Sequence, residues 1–208
     1  MWIDPITLDV VTTFSEMRAL RPDWSGPADM TEENAAELKF APVVPVKPEY
    51  DPETQKAVEL TPKFIDDVWT QDWEVTDLDP EFVASRLKAA KLEKRAQINA
   101  WRERANYSTF PFAGKLIACD NLSRSDIDAT STHIALFGEF PDNFPGGWKA
   151  IDDTYVLMPT VGEFKSMYKA MSKQGTTNFT QSQALKELVT AATTLAEVNA
   201  IQWQESTK

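Results

Sequence analysis

With 208 residues, 42% of them hydrophobic and 11% aromatic, the chain is long enough and apolar enough to build a core, which excludes a wholly disordered polymer. Its net charge of −11 is confined to one part: residues 1–78 hold 6 Lys and Arg against 17 Asp and Glu, whereas residues 79–208 hold 15 against 15. An acidic part without a basic counterpart argues against nucleic acid as a partner. No apolar run approaches the roughly 18 to 20 residues of a membrane helix, and MWIDPITLDV lacks a basic segment ahead of an apolar one, so neither a membrane span nor a leader is expected. A single cysteine, Cys119, and a single histidine, His133, rule out an internal disulfide and a dense metal-ligand motif, and point to folding in a reducing cytosol.

In chain order, residues 1–48 carry prolines at 5, 22, 27, 42, 45 and 48 and no long periodic segment, which reads as an extended, acidic, Pro-rich arm. Two short helices are expected within it. One covers Thr13 to Leu20 and ends before Pro22; the other covers Thr31 to Lys39, with Thr31 as N-cap and Asn34 where a capping box would have Glu or Gln. The run APVVPVKP over 41–48 favours extended or polyproline geometry. Residues 49–78 read as a β-hairpin with strands Gln55 to Leu60 and Val68 to Val75, the turn region being marked by Pro62 and Asp66-Asp67. Alternation puts Trp69, Trp73 and Val75 on one face and Thr70, Asp72 and Glu74 on the other. A lone hairpin cannot bury such a tryptophan face, so it needs the arm, the next helix or another chain.

Asp79-Pro80 supplies an N-cap and an N1 proline for a long connecting helix over residues 79–105. Its stripe of Phe82, Val83, Leu87, Ala90, Ile98 and Trp101 is interrupted at Lys94. One face is therefore expected to pack on its own chain, with self-association through the helix as the alternative. Residues 106–208 read as a compact module of short hairpins and helices. Phe110 to Phe112 and Leu116 to Cys119 flank Ala113-Gly114, and Ser123 caps a helix with Asp126 in its first turn. Trp148 to Ile151 and Thr154 to Leu157 flank Asp152-Asp153. A helix from Val161 to Lys173 is expected to stop near Gly175, a second to run from Thr180 to Ala191, and Thr194 with Glu197 to form a capping box. The fold class is α+β.

No constellation for catalysis or cofactor binding is found. Cys119 ends the apolar strand LIAC and reads as a core thiol, and His133 has no second histidine to share a metal. Asp120, Asp126 and Asp128, or Asp152 and Asp153, could pair as carboxylates, but their spacing lacks a calcium-loop pattern and caps and turns use aspartate anyway. FPGGW has no lysine at the phosphate-loop position. The expectation is thus no catalytic, cofactor-binding or metal residues. Seven tryptophans raise glycan stacking, with packing in a core or interface as the plainer reading.

Three segments, KRAQINAWRERANYSTFPFAGKLIACDNLSRSDI, FPGGWKAIDDTYVLMPTVGEFKSMYKAM and QGTTNFTQSQALKELVTAATTLAEVNAIQW, resemble an uncharacterised C-terminal domain of proteins encoded beside phage tail-fibre genes. The run YDPETQKAVELTPKFIDDVWTQDWEVTDLDPE resembles the segment that often precedes this domain, with Asp66-Asp67 where similar proteins usually have a glycine. The resemblance implies a tail context and supplies no catalytic residues. Expected, therefore, is a non-enzymatic structural protein of the tail, baseplate or tail-fibre apparatus, in the virion and, during assembly, the host cytoplasm. A tail-fibre assembly chaperone absent from the virion and a glycan-recognising adsorption module are the alternatives. Tail, baseplate or tail-fibre proteins are the expected partners, with Trp2, Phe14, Trp24, Phe40, Trp69 and Trp73 as anchors, because an arm without a core leaves such side chains to a partner's surface.

Overall fold

The computed structural model describes residues 1–26 and 31–204, and the protein is α+β, as expected. It divides into two compact units, Met1–Ala84 and Ser85–Lys208.

In unit 1 the expected arm is instead folded. Strands β1 (Trp2–Ile3), β2 (Val10–Val11) and β3 (Ala41–Val44) join a hairpin of β4 (Gln55–Ile65) and β5 (Val68–Asp77) in one sheet of order β2-β1-β3-β5-β4. Strand β3 lies antiparallel to β1 and parallel to β5, so the APVV segment adopts strand pairing in place of polyproline geometry. Helices α1 (Phe14–Leu20) and α2 (Glu32–Glu37) lie where expected. Thr13 and Glu16 close a full capping box on α1, while the Thr31 hydroxyl accepts from the Asn34 N–H on α2. These short elements bury a small core of Val11, Met17, Ala35, Leu38 and Phe40, with Trp2, Phe14 and Trp24 packed against it. No single element is long enough to show a period, and the core exists only because pairings distant in sequence assemble it.

The turn residues Asp66 and Asp67 both have positive φ, 49° and 63°, the backbone of a two-residue turn with the twist that hairpins favour. Aspartate tolerates that region, which is how the turn forms without glycine. Pro62 is not in the turn; β4 runs on to Ile65, and Pro62 falls where the register shifts between Leu60 and Lys63. A residue with no N–H to donate fits such an irregularity.

Asp4 is fully buried beside the β1–β2 connection, where its carboxylate accepts from the N–H groups of Ile6 (2.9 Å) and Thr7 (3.4 Å) and pairs with Arg21. The Arg21 guanidinium also lies 5.3 Å from the centroid of the Phe40 ring. Burial pushes the carboxyl up, but the hydrogen bonds from Ile6, Arg21 and Thr7 together hold it below its ordinary 3.8. A lowered folded value means the group stabilises the fold above pH 3.8 and loses that contribution as pH falls through the folded value. Asp4→Asn should therefore cost about 2 kcal/mol at neutral pH, the scale of a hydrogen bond to a charged group. In denaturant titrations the gap from wild type should close as pH drops below 3.8.

Helix α3 (Pro80–Asn106) starts as expected, with the Asp79 carboxylate accepting from the Glu81 N–H at 2.7 Å. In unit 2 its Ile98 is buried with Val189 and Ile201, and Trp101 packs beside them. Lys94, the break in the stripe, is buried too: its ammonium donates to the Ile201 carbonyl (3.3 Å) and sits over the Trp101 ring. The expected module boundary at residue 106 therefore falls inside a packed unit, because α3 supplies part of its interior.

The remaining elements are β6 (Thr109–Phe112), β7 (Lys115–Ala118), α4 (Asn121–Phe137), β8 (Gly147–Lys149), β9 (Tyr155–Leu157), α5 (Val161–Ala191) and α6 (Leu195–Ala200). A bridge from Ile117 to Ala150 links the two hairpins, and the main core gathers Phe110, Ile117, Ile127, Ile134, Met158, Phe164 and Met167. Helix α4 starts three residues earlier than a Ser123 cap would place it. Asp120 is its N-cap, accepting from the N–H groups of Leu122 and Ser123, so Asp126 lies beyond the first turn.

Two helices were expected around Gly175, yet α5 runs unbroken for 31 residues. Its poor helix formers are held by tertiary hydrogen bonds: Gln174 Nε2 donates to the Thr109 carbonyl (2.8 Å) and buried Asn178 to Asn106 Oδ1 (2.9 Å). Thr176 and Thr177 donate to carbonyls four residues back. A Cβ on Gly175 would meet nothing within 4 Å. Gly175→Ala should accordingly raise stability by about 0.5 to 1 kcal/mol, measured by thermal or denaturant unfolding.

Candidate interaction surface

The β4–β5 register decides what each face of the hairpin presents. Phe64 and Trp69, Glu59 and Trp73, and Ala57 and Val75 are paired, which places these side chains on one face. On that face Val43 and Gln71 are buried, the Trp73 indole N–H donates to the Val46 carbonyl (2.5 Å), and Phe64 meets Trp69 at 5.4 Å between ring centroids. The tryptophan face is thus covered in part by unit 1 itself, around Val43, Gln71 and Trp73, while Phe64 and Val75 at its ends stay exposed.

The opposite face pairs Val58 with Glu74, Leu60 with Asp72, Lys63 with Thr70 and Ile65 with Val68, and β3 adds Val44 beside Thr70. Its apolar side chains are open: Val44 is 46% exposed, Val58 45%, Leu60 39%, Ile65 50% and Val68 43%. Lys63 forms an ion pair with Asp72 at 2.7 Å, and the Lys63 contact holds the Asp72 carboxyl below its ordinary value. Asp66, Asp67 and Glu74 have no ion-pair partner among the described residues. The surroundings are acidic throughout, since residues 1–84 carry 6 Lys and Arg against 19 Asp and Glu.

The six expected anchors are distributed differently. Phe40 is buried in the small core, and Trp2, Phe14 and Trp24 are half-buried against it, Phe14 and Trp24 edge to face at 5.3 Å. Trp69 and Trp73 are half-buried on the more covered hairpin face. None of the six lies on the open face. Sequence reasoning passed over that face because the indoles drew attention to the odd positions of β5. Val58 and Leu60, alternating within β4, were the available signal.

In unit 2, a cleft of about 620 Å³ lies against α4 and the β8–β9 hairpin, lined in part by Trp148, Tyr155, Phe144, Asp126 and Asp142. Trp148 rests on Phe164 at 5.8 Å. The nearby charges are paired: Lys149 with Asp153 at 2.6 Å, and Lys115 with Asp152 at 3.0 Å. The Thr154 hydroxyl and Lys115 hold the Asp152 carboxyl down to about 2. Cys119 is buried, which pushes its thiol up and away from nucleophilic use, and the His133 ring packs on Phe137 at 4.7 Å. Among the described residues no cluster of three or more His, Cys, Asp or Glu is placed to hold a metal, and no helix is long and apolar enough to cross a membrane.

The fold and surface define an α+β protein with an acidic unit that bears an open apolar sheet face, followed by a second unit with its own core. Residues 89–202, all within unit 2, match the family described as Domain of unknown function (DUF4376), and the chain belongs to that family. No curated protein and no solved structure matches it.

Proposed function

We propose that the protein is a non-enzymatic structural component of a bacteriophage tail, in the tail, baseplate or tail-fibre apparatus, which docks through unit 1 and displays or braces unit 2. The observation that carries the docking part is the open apolar face of β3, β4 and β5, set in the unit that holds the chain's whole acid excess. The tail context comes from the sequence segments that resemble proteins encoded beside tail-fibre genes. A non-enzymatic role is supported by the buried Cys119 thiol and by paired aspartates that cap helices and tie turns. A glycan-adsorption role has less support, since Trp148, the tryptophan of the unit 2 cleft, leans on the core.

Mass spectrometry of purified particles tests the reading. Recovery of the chain in fixed ratio to known tail proteins is the expected result. Abundance in producing cells with none in particles would overturn it in favour of an assembly chaperone.

A further inference from the structure

We infer that the open face of the β3-β5-β4 sheet is a docking surface for a different protein that presents an apolar centre ringed by lysine and arginine. The inference rests on the reading of unit 1 as the docking end and adds the surface and the chemistry of its partner.

Size comes first. Eleven residues of β4 at strand rise, two strands wide, give a face of about 36 Å by 10 Å, long enough for a partner to span its apolar and acidic side chains together. Its apolar side chains are Val58 and Leu60 on one side of the Lys63–Asp72 ion pair and Ile65 and Val68 on the other, with Val44 beside Thr70.

Charge then selects the occupant. At one end Asp66 and Asp67 follow Ile65 and precede Val68, and Glu74 stands opposite Val58; none of the three has an ion-pair partner among the described residues. Of the two lysines in β4 on this face, Lys63 is already paired with Asp72, which leaves Lys56 near the other end. A second copy would bring a unit with 6 bases and 19 acids against its equal, so like charges would face each other across the interface. A lysine- and arginine-rimmed surface meets the same acids with opposite sign and leaves the aliphatic side chains to exclude water.

The test uses the full chain, produced in cells that assemble particles, with the photo-cross-linking residue benzoylphenylalanine at position 68 and, as control, at position 136 on α4, where Leu136 is still more open to solvent than Val68. Position 68 should cross-link to one foreign protein, through a segment with a Lys and Arg excess around apolar residues. The yield should fall at least tenfold in Val58→Lys/Leu60→Lys and fall as salt rises from about 0.05 to 0.5 M. Asp66→Asn/Glu74→Gln removes two of the acids but keeps the aliphatic side chains and the turn, since asparagine tolerates the positive φ of residue 66, and should lower the yield severalfold, with both double variants melting as wild type. Cross-linking to a second copy, to an acidic or neutral segment, equally from position 136, or not at all would overturn the inference. Particle composition is read separately. A chain present in particles without the cross-link sinks the surface and spares the tail reading; a chain absent from particles but cross-linked in cells does the reverse.

Discussion

Phe164→Ala is expected to destabilise unit 2 by about 3 to 5 kcal/mol, the range for removing a buried aromatic ring from a core that cannot fully collapse. Phe164 is fully buried, and it is the point at which separate elements meet. Its ring lies edge-on to Phe140, at 6.2 Å, and contacts Trp148 at 5.8 Å. Phe140 in turn stacks on Phe144 at 4.0 Å, so the loop between α4 and β8 is held down through the same side chain. The variant should lose cooperative unfolding in calorimetry or melt far below wild type. Phe164→Leu should recover most of the loss, because it refills much of the volume. A Phe164→Ala melt within 1 or 2 °C of wild type would show that the core does not depend on this contact.

Phe40→Ala is the second large effect, about 3 kcal/mol or more against unit 1, and it bears on whether residues 1–48 fold on their own chain. Phe40 is buried with Met17, Ala35 and Leu38, and its ring is covered by Arg21, which also neutralises buried Asp4. Removing the ring leaves a cavity and loosens that pair. Hydrogen exchange on a demonstrated monomer should show protection in the wild type at Val43, whose N–H donates to the Met1 carbonyl (3.1 Å), and at Met17, whose N–H donates to Thr13. Both should exchange faster in Phe40→Ala, with unit 2 unchanged. Rapid exchange at these positions in the wild-type monomer would instead restore the extended docking arm that the prolines suggest.

The local features were written in the sequence where one short stretch contains the whole cause. Thr13 with Glu16, Thr31, Asp79-Pro80 and Thr194 with Glu197 each carry their own hydrogen-bonding partner within a turn, so the starts of α1, α2, α3 and α6 were legible. The alternation in β5 likewise separated Trp69 and Trp73 from Thr70 and Asp72. Other features depend on residues far apart. Gly175 ends a helix by local propensity, and only Thr109 and Asn106, 65 and 72 residues from their partners Gln174 and Asn178, supply bonds that keep α5 continuous. Residues 1–48 look unstructured because their strands are two to four residues long, and such strands gain stability only once β3 joins β5 across the intervening chain. The surface followed the same rule. Composition determined that residues 1–78 are acidic, and alternation that Trp69 and Trp73 share one face of β5, but how far each face is covered was decided by tertiary packing, since buried Val43 and the Val46 carbonyl meet the tryptophan side while Val44, Val58 and Leu60 stay open to solvent.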